Sequence, residues 1–372
     1  MKKVIIIGGG FAGLSCAGKL AHYRKELDII VIDKSALFNF LPSLPDCIGR
    51  GIDPAFLTYP IAEFCRKHKI DFLNGEIKSV NCINNQVITQ KEKISYDFLV
   101  VASGSETNFY GNSQIQANAF KLDNAQDAQK IKKTVETGGF RNFVVSGGGY
   151  TGVEIATNLR VFLDKNFRED RIFIVERSPS ILGPLPQWMK DYCLDNLNRL
   201  RIEIITSSTI DNIEADRVFV SGKPVLDKAM LIWAAGVKIP DFTKGINTEK
   251  NPQGRMKTDE YLRVKDNCFV LGDSALVAHE SSTLRMAVQF AIYQGASAAG
   301  NIIRTIKGKP LKRYIPVDLG YIIPMANNRS CGNILGLNLK GRIPTLMHFL
   351  MCIYRSIGIK NRIGIIRRLL FP

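Results

Sequence analysis

Two copies of a strand, glycine turn and helix pattern constrain this chain more than any other feature of its sequence. In the first copy, a β-branched run at 4–7 leads into a turn, and apolar residues at helical spacing then extend from Leu14 to Lys25. The turn has the sequence Gly8-Gly9-Gly10-Phe11-Ala12-Gly13. Gly8 permits the tight turn, Gly10 lets the backbone approach a pyrophosphate, and Gly13 lets helix and strand pack closely. The pattern predicts a dinucleotide-binding fold at the start of the chain.

An acidic residue follows the first copy at the spacing typical of dinucleotide binding. The predicted strand 28–32 ends at Asp33, which lies twenty residues beyond Gly13. A carboxylate at this position can accept hydrogen bonds from ribose hydroxyls. Asp33 is therefore a candidate contact of the bound dinucleotide.

The second copy has the same parts in the same order. A strand at 143–146 precedes the turn, and a helix at 153–163 follows it. The turn has the sequence Gly147-Gly148-Gly149-Tyr150-Thr151-Gly152. The next strand, 171–175, ends at Glu176, which suits a free ribose 2′-hydroxyl and favours NADH. NADPH stays open, because the neighbouring Arg177 could accept a 2′-phosphate.

Two other segments have the composition of cofactor contacts at strand ends. Segment 96–105 is typical of a buried strand that runs into a turn of small residues. Segment 268–275 is typical of a strand that ends in Asp273, an acid that can bind the ribityl chain of FAD, with Ala275 predicted to begin a helix. Taken alone, each could be an ordinary strand end.

The order of these segments predicts an α/β chain with two Rossmann-type domains, in which an NAD(H)-binding domain is inserted into an FAD-binding domain. A length of 372 residues with 45% apolar content is enough for two cores. The predicted boundaries are 1–115 for the first part of the FAD-binding domain, 116–240 for the NAD(H)-binding domain, 241–320 for the second part of the FAD-binding domain, and 321–372 for a C-terminal membrane-association region.

The cysteine spacing argues against a dithiol active site. Eight cysteines are scattered through the sequence without a CxxC, a CxxxxC or a metal-ligand spacing. Disulfide reductases need a CxxxxC pair near the first glycine motif, where segment 40–46 has no cysteine and Cys47 stands alone. We expect free thiols in a reducing cytosol and no bound metal.

With these motifs in place, the chain resembles the flavoproteins with two dinucleotide-binding domains, the pyridine nucleotide-disulfide oxidoreductase-like superfamily, and within them the type II NADH dehydrogenases. The more specific matches are the segments 38–45, 96–108, 231–237 and 272–273, and the stretch 346–368. The resemblance implies a single-chain NADH:quinone oxidoreductase that holds FAD non-covalently and pumps no protons. A hydride would pass from NADH to the flavin, and two electrons would then pass to a quinone.

The motifs and the resemblance together give the candidate cofactor contacts. These are Gly8, Gly9, Gly10, Phe11, Ala12, Gly13, Asp33, Lys34, Pro42, Ile77, Ala102, Gly104, Gly147, Gly149, Gly152, Glu176, Gly236, Gly272, Asp273, Ala291 and Ile292. The resemblance also implies that a glutamate after the glycines of the NAD site lies near the flavin and assists proton handling, and Glu154 matches it. Alternatively, Glu154 contacts NADH or caps its helix.

A glutamine signature that the resemblance associates with quinone reduction is only partly present. The family pattern is Ala-Gln-x-Ala-x-Gln-Gln, and this chain keeps Gln289 and Gln294 but has Tyr293 at the penultimate glutamine. Gln289 and Gln294 are the candidate catalytic residues besides the glutamate. Gln289 could hydrogen-bond a quinone carbonyl, while Ala291 and Ile292 would pack under the isoalloxazine. The alternative is an ordinary core helix.

The C-terminal segment concentrates positive charge. From Lys340 to Pro372 the sequence has seven basic residues and no acidic one, within a net charge of +16 for the chain. An uncharged run at 343–354 is followed by isoleucines and leucines interleaved with cations. The pattern predicts a helix or a pair of helices that lie in a membrane interface. Alternatively, the segment packs on its own domain or on a second subunit; nucleic acid is disfavoured, since no binding module is present.

The expected partners are therefore a quinone, either menaquinone or ubiquinone, and the cytoplasmic face of the cell membrane, in respiratory electron transport. The resemblance also suggests a homodimer. Three other functions stay open. The first is an FAD-dependent NAD(P)H reductase of another acceptor. The second is an enzyme like the sulfide:quinone oxidoreductases, for which Cys193 and Cys331 would be the candidate cysteines. The third is a dinucleotide-bound redox sensor at the membrane that catalyses no reaction.

Overall fold

Alternating strands and helices build a parallel sheet in each of two units of the chain. The computed structural model describes residues 1–279 and 282–370. The first unit consists of Met1–Phe38, Tyr59–Glu106 and Val237–Asp318. The second unit consists of Asn39–Thr58, Thr107–Gly236 and Leu319–Pro372. Segments 39–58 and 319–372 thus belong to the unit that carries the second glycine motif, and the predicted domain boundaries stay a prediction.

The first unit is built on a six-stranded sheet whose strands are parallel except at one edge. Its strands, in spatial order, are Arg263–Lys265, Cys268–Val270, Phe98–Val101, Lys2–Ile7, Leu27–Asp33 and Asp71–Asn74. The central register pairs Val4 with Ile29 on one side and with Phe98 on the other. The central runs Val4–Ile7, Phe98–Val101 and Cys268–Val270 are buried and apolar, as in parallel sheets covered by helices, whereas the two edge strands are partly exposed.

Three helices accompany this sheet, and smaller strands complete the unit. The helices are Phe11–Leu20, Ile61–His68 and Val288–Ile306. An antiparallel sheet contains Ile77–Asn81, Gln86–Thr89 and Lys93–Ser95, and two short pairs are Met256–Lys257 with Ala275–Leu276 and Ala278–His279 with Ser282–Thr283. The first and last of the long helices pack on each other, since Gly295 allows backbone approach to Ala12.

The second unit repeats the arrangement with a four-stranded parallel sheet. Its strands, in spatial order, are Ile202–Ile205, Arg171–Val175, Asn142–Ser146 and Ala229–Trp233. A hairpin contains Ile210–Glu214 and Arg217–Val220. The helices are Ser113–Asn118, Ala125–Thr137, Tyr150–Lys165 and Gln187–Arg199. Asn112 and Asn124 cap the first two, because each side-chain oxygen accepts a hydrogen bond from an amide of the first turn.

The C-terminal segment forms a small antiparallel sheet and two helices in the second unit. The strands are Gly320–Ile323, Ser330–Ile334 and Leu337–Gly341, and the helices, here called the tail helices, are Arg342–Arg355 and Ile359–Leu370. Ile323, Met325 and Cys331 share one core with Phe143 and Val145 of the parallel sheet. Phe371 and Pro372 of the predicted tail lie outside the described residues. Among the described helices, none has the length and apolarity needed to cross a bilayer.

The predicted α/β fold with parallel sheets is confirmed, and one local expectation is wrong. Ala275 does not begin a helix; it begins the strand Ala275–Leu276, which pairs in parallel with Met256–Lys257. The polar turn at Gly272–Ser274 is a single 3₁₀ turn. Pairing with a distant strand decides the conformation here, and the sequence around Ala275 carries no sign of that partner.

Candidate functional site

The first glycine motif forms the tight turn that its sequence predicts. Gly8 has φ of +106°, and a Cβ there would lie 2.1 Å from the carbonyl oxygen of Ala102. A Cβ at Gly13 would lie 1.8 Å from the carbonyl oxygen of Gly8, so only glycine lets the helix pack this closely. Gly10 is exposed at the helix start, and nothing lies within 4 Å of a Cβ built there. That open space beside the helix N-terminus suits a pyrophosphate.

Asp33 organises this turn from the end of the neighbouring strand. Its Oδ2 accepts a hydrogen bond from the Gly9 amide at 2.6 Å, and its Oδ1 accepts one from the Ser35 amide at 2.7 Å. Burial raises the pKa of Asp33 above its ordinary value, while the two amides and Lys34 act in the opposite direction. Each carboxylate oxygen keeps a free lone pair that can accept from a ribose hydroxyl.

A second acid lies on the turn after the strand Cys268–Val270. Asp273 accepts a hydrogen bond from Ser105 Oγ at 2.8 Å, and burial raises its pKa. The backbone around it is held by Arg255, whose guanidinium donates to the carbonyl oxygens of Asp273 at 3.2 Å, Ala275 at 2.7 Å and Leu284 at 2.9 Å. The glycine before this acid brings its turn against Ala12 and Ala291, the nearest side chains to a Cβ built at Gly272.

The long helix Val288–Ile306 supplies the glutamines of the partial signature. Gln294 is 3% exposed, and its Oε1 accepts a hydrogen bond from the Gly272 amide at 2.6 Å. Gln289 is also buried, and its Nε2 donates to Asp318 Oδ1 at 3.0 Å. The same carboxylate forms a two-bond ion pair with Arg285. Gln294 is therefore placed to hold a turn, whereas Gln289 belongs to a polar cluster at the first turn of the helix.

Other predicted contacts of the first unit lie around these groups. Phe11 packs edge to face on Phe38 with ring centroids 5.0 Å apart, and Ile77 is buried. Lys34 pairs with Glu106 at 3.3 Å. The carbonyl oxygen of Gly104 accepts a hydrogen bond from Ser274 Oγ at 3.3 Å. The backbone carbonyl of Ile292 accepts a hydrogen bond from Ser15 Oγ at 2.7 Å, which joins the two long helices.

The second glycine motif repeats the geometry of the first. Gly147 has φ of +102°, and a Cβ at Gly152 would lie 1.9 Å from the carbonyl oxygen of Gly147. No atom lies within 4 Å of a Cβ built at Gly149. Glu176 accepts hydrogen bonds from the Gly148 amide at 2.7 Å and from the Ser178 amide. Burial works to raise the pKa of Glu176, but these hydrogen bonds outweigh it and the net pKa is lower than the ordinary value.

Three further predicted residues of the second unit lie in two places, Gly236 in a turn and Glu154 with Pro42 at a small cavity. Gly236 has φ of +121° and a Cβ there would lie 2.2 Å from the hydroxyl of Tyr110, so this turn also requires glycine. Glu154 lies in the first turns of the helix Tyr150–Lys165, and burial, followed by the charge of Asp46, raises its pKa well above the ordinary value. Pro42 lines the same small cavity as Glu154.

Sequence reasoning missed several residues that hold the site together. The local sequence patterns do not predict the contacts of four residues, namely Arg255, Ser105, Gly148 and Asp46. Only Gly148 had a usable signal, because an acid at the end of the following strand faces the second glycine of such a motif in both copies. Arg255 is distant in sequence from the carbonyl groups that it binds, so nothing in its neighbourhood indicates its role.

The residues of both loops fit dinucleotides. Each loop has a glycine with open space at a helix start, a glycine that permits close packing, and an acid with acceptor lone pairs at the end of the next strand. In the first unit, the Asp273 turn and the small side chains of Ala12 and Ala291 add a polar and an apolar surface that suit the remainder of FAD.

Seven of the eight cysteines are buried as packing groups, and Cys82 is half-buried. Cys47 is buried, and burial raises the pKa of its thiol, which keeps it protonated. The Sγ atoms of Cys193 and Cys331 lie 3.5 Å apart, and both side chains are fully buried in the core of the second unit. Among the described residues, no group of three His, Cys, Asp or Glu side chains is arranged to hold a metal ion.

The profile of the family "Pyridine nucleotide-disulphide oxidoreductase" matches residues 2–295, which include both glycine motifs and the Asp273 turn. The chain belongs to the pyridine nucleotide-disulphide oxidoreductase family. The family name refers to disulphide chemistry, but this chain has no cysteine pair beside the first glycine motif.

Individual family members are similar over most of their length. The demethylphylloquinone reductase NdbB of Synechocystis is 27% identical and covers 95% of this chain and 92% of its own. The type II NADH:quinone oxidoreductase of Staphylococcus aureus is 27% identical with 93% of each chain covered. These relatives confirm the resemblance to type II NADH dehydrogenases.

Solved structures confirm the fold. NDH2 from Plasmodium falciparum in complex with NADH has a TM-score of 0.87 at 19% identity and covers 99% of this chain and 97% of its own. The sulfide:quinone oxidoreductase from Aquifex aeolicus has a TM-score of 0.83 at 21% identity, with coverage of 98% and 92%.

Proposed function

We propose that this chain is a type II NADH:quinone oxidoreductase, which transfers a hydride from NADH to bound FAD and two electrons onward to a quinone without pumping protons. The observation that carries the proposal is the pair of glycine loops, each tied by a hydrogen bond to its own ribose-binding acid. The names of the relatives in Staphylococcus aureus and Synechocystis support a quinone as the acceptor.

The chain's own residues bind and orient the cofactors in this proposal. The first loop, Asp33 and Asp273 would hold FAD, and the second loop and Glu176 would hold NADH. The chemistry supplied by bound FAD is acceptance of a hydride and release of electrons to an acceptor. The buried Cys47 supports a reaction without a thiol step, because its protonated sulfur is a poor nucleophile.

Glu154 is the proposed proton-holding group. Its partly buried carboxyl has a pKa well above the ordinary value, so it keeps a proton at a higher pH than an exposed glutamate does. Glu154 is the fifth residue of the helix Tyr150–Lys165, whose cap position is Gly149. A capping side chain usually lies at the cap position or three residues after it, so this position favours a role in chemistry over a role in capping.

Gln289 is the proposed quinone contact. Its Nε2 donates to Asp318 at 3.0 Å, and a primary amide is a group that can hydrogen-bond a quinone carbonyl. Gln294 has the weaker claim to a catalytic role, because its oxygen is engaged by the Gly272 amide. Menaquinone and ubiquinone both offer the carbonyl acceptors that such an amide can bind, and a homodimer stays a prediction of the resemblance.

The tail helices are proposed to attach the enzyme peripherally to the cytoplasmic face of the membrane. Their inner faces pack on the second unit, where Phe349, Cys352 and Ile365 are buried. Their outer faces carry large apolar side chains that are between 39% and 73% exposed, namely Ile343, Leu346, Leu350, Tyr354, Ile359, Ile363, Ile366 and Leu370. Exposed cations lie among them, including Arg342, Lys360 and Arg367.

The two faces of the tail helices fit both alternatives that the sequence left open, packing on the domain and lying in a membrane interface. The inner face packs on its own unit, as the packing alternative expects, and the outer face has the composition of an interfacial helix pair. Exposed apolar side chains in such a stripe are unusual for a surface in contact with water alone. At about 1 kcal/mol for each basic residue near an anionic leaflet, the cations add several kcal/mol of attraction.

A stopped-flow experiment tests the function. Purified protein with bound FAD is mixed with NADH and then, in a second mix, with menaquinone or ubiquinone analogues, while the flavin absorbance is followed. We expect NADH to bleach the flavin and a quinone to restore its colour. Restoration by oxygen, ferredoxin or rubredoxin but by no quinone would select a reductase of another acceptor. Binding of NADH without bleaching would select the redox sensor.

A further inference from the structure

A small cavity lies inside the second unit beside Glu154. It is lined by Pro42, Pro45, Asp46, Arg50, Glu154, Asn158, Pro324, Met325 and Ala326. Its volume of about 10 Å³ is close to what one water molecule requires. Asn158 is buried, and its Oδ1 has no hydrogen-bond partner within the described part of the chain. A buried acceptor of this kind normally accepts a hydrogen bond from an ordered water molecule. The cavity therefore suits one water molecule.

Asp46 brings a second carboxyl to this cavity. It is 6% exposed, and its Oδ1 lies 3.1 Å from Arg50 Nε, one helical turn further along the chain. Burial raises the pKa of Asp46 to about 6, while Arg50 and a hydrogen bond with Asn158 act in the opposite direction. Burial therefore outweighs the ion pair with Arg50, and the pKa of Asp46 stays above the ordinary value of an aspartate.

Asn158 contacts the backbone of Glu154 and the side chain of Asp46. It lies four residues after Glu154 in the helix Tyr150–Lys165, and its Nδ2 donates to the Glu154 carbonyl oxygen at 3.0 Å. The same side chain bonds Asp46. The charge of Asp46 is also among the causes of the raised pKa of Glu154, so the two acids interact.

The charged and titratable groups around the pair come from three segments. On the segment of Asp46 itself they are Arg50, Cys47 and Asp53, and Lys132 approaches from the helix Ala125–Thr137. The segment 324–326 contributes none. The groups on the tail helices are His348, Cys352, Arg355 and Arg368, and burial together with Arg50 lowers the pKa of His348 to about 4, so that its ring is neutral. Arg50 forms an ion pair with Asp46 directly.

We propose that Asp46 and Glu154 share one proton through a water molecule in this cavity, and that the pair stores the proton which quinone reduction consumes. The inference rests on the proposed function. Oxidation of NADH to NAD⁺ releases a hydride, and conversion of a quinone to its quinol takes up that hydride, as two electrons and one proton, together with one further proton. That further proton comes from solvent through the pair. Asp46 acts through Glu154 and is a positioning residue.

Carbon-13 NMR of the FAD-bound protein tests the coupling directly. The side-chain carboxyl carbons of Asp and Glu are labelled, and the two resonances are assigned by their loss in Glu154→Gln and Asp46→Asn. We expect both groups in the unaltered protein to titrate above the ordinary range, and Asp46→Asn to lower the pKa of Glu154 by about one unit through loss of a like charge. Asp53→Asn, an exposed change seven residues away that keeps the helix-capping oxygen, should leave it unmoved.

A pH profile tests the role of the pair in the reaction. Asp46→Asn should move the alkaline limb of quinone reduction to lower pH by the same amount, Asp46→Glu should restore it, and Asp53→Asn should not change it. In the Glu154→Gln background, Asp46→Asn should produce no further shift. An unchanged Glu154 titration in a folded Asp46→Asn variant overturns the proposal. Ordinary titration of both acids in the unaltered protein also overturns it, and that measurement does not depend on how well the variant folds. If no quinone is reduced at all, the proposed function fails, while the NMR titration still decides whether the pair exists.

Discussion

The amide of Gly272 donates a hydrogen bond to Oε1 of Gln294 at 2.6 Å, so a buried side chain of a long helix holds the turn that carries Asp273. The turn has positive φ at Gly272, +66°, and it lies against Ala12 of the first glycine motif. Gln294 thereby fixes the separation of two parts of the proposed FAD site that are far apart in sequence.

Replacement of this glutamine by leucine tests that role. Gln294→Leu leaves the Gly272 amide without a partner in a buried setting, which costs about 1–3 kcal/mol. We expect a lower unfolding free energy and faster loss of FAD, measured by denaturant titration and by flavin fluorescence after dilution. Gln187→Leu, an exposed change at the start of another helix, is the control. Unaltered FAD retention with slow quinone reduction would instead restore Gln294 to a catalytic role.

The two glycine loops should be separable by single substitutions. Gly13→Ala places a Cβ 1.8 Å from the Gly8 carbonyl oxygen, and Gly152→Ala places one 1.9 Å from that of Gly147. We expect Gly13→Ala to yield a colourless protein and Gly152→Ala to yield a yellow protein that dithionite bleaches but NADH does not. Gly300→Ala, where a Cβ meets no atom within 4 Å, should behave as the unaltered chain. Flavin loss from Gly152→Ala alone would reverse the assignment of the loops.

Glu176 should decide the choice between NADH and NADPH. Its carboxylate faces the place of the ribose hydroxyls in the proposed NADH site, and a 2′-phosphate there would meet a like charge. We expect Glu176→Ala to raise kcat/KM for NADPH relative to NADH about tenfold to a hundredfold, since Arg177 is then free to attract the phosphate. Glu203→Ala, an exposed acid of the neighbouring strand, is the control. Equal ratios in both variants would remove Glu176 from the cofactor site.

The lowered pKa of Glu176 predicts how its contribution to stability depends on pH. Because the folded value lies below the ordinary one of about 4.3, ionised Glu176 contributes stability above that pH, and the contribution is lost as the pH falls through the folded value. NADH preference should therefore persist unchanged from neutral pH down to about pH 5. Measurement of the NADH to NADPH ratio across that range checks it.

The outer face of the tail helices should carry membrane binding. Leu346 and Leu350 are 61% and 56% exposed on that face. Their joint replacement by aspartate should weaken binding to anionic vesicles by roughly 3 kcal/mol, about a hundredfold, through lost apolar burial. Vesicle sedimentation measures it, and high salt should weaken binding of the unaltered protein. Ile83→Asp, an exposed residue of the first unit, is the matched control, and equal loss in both variants contradicts the proposal.

The parts of this fold that the sequence predicted are those governed by short-range patterns. The strands at the two glycine motifs, the acids Asp33 and Glu176, and the helical pair in the tail all follow from residue periodicity and fixed spacing. Such features are decided by neighbours within about thirty residues, the length of one strand, helix and strand unit.

The parts that escaped prediction depend on contacts that follow no fixed spacing. Ala275 joins a strand because Met256–Lys257 pairs with it, and Gln294 on the long helix meets Gly272 on the turn after a strand. Burial raises the pKa of Asp46, and the cavity that it lines is completed by residues that lie more than a hundred positions away, including Glu154 and Asn158. No local pattern encodes such neighbours, so long-range packing decides which side chains of a motif face a cofactor and which brace the fold.

The attachment of the tail has a mechanical consequence. Arg368 Nε donates to the Arg50 carbonyl oxygen at 2.9 Å, Asn361 Nδ2 donates to the Thr58 carbonyl oxygen at 2.7 Å, and Gly364 lets its helix lie against the ring of Phe56. Under the proposed membrane attachment, a force that the bilayer exerts on the tail is transmitted to the backbone around Asp46. The proposed attachment and the proposed proton-sharing pair depend on one stretch of backbone, so we expect lipid to act on the enzyme as an effector as well as a support.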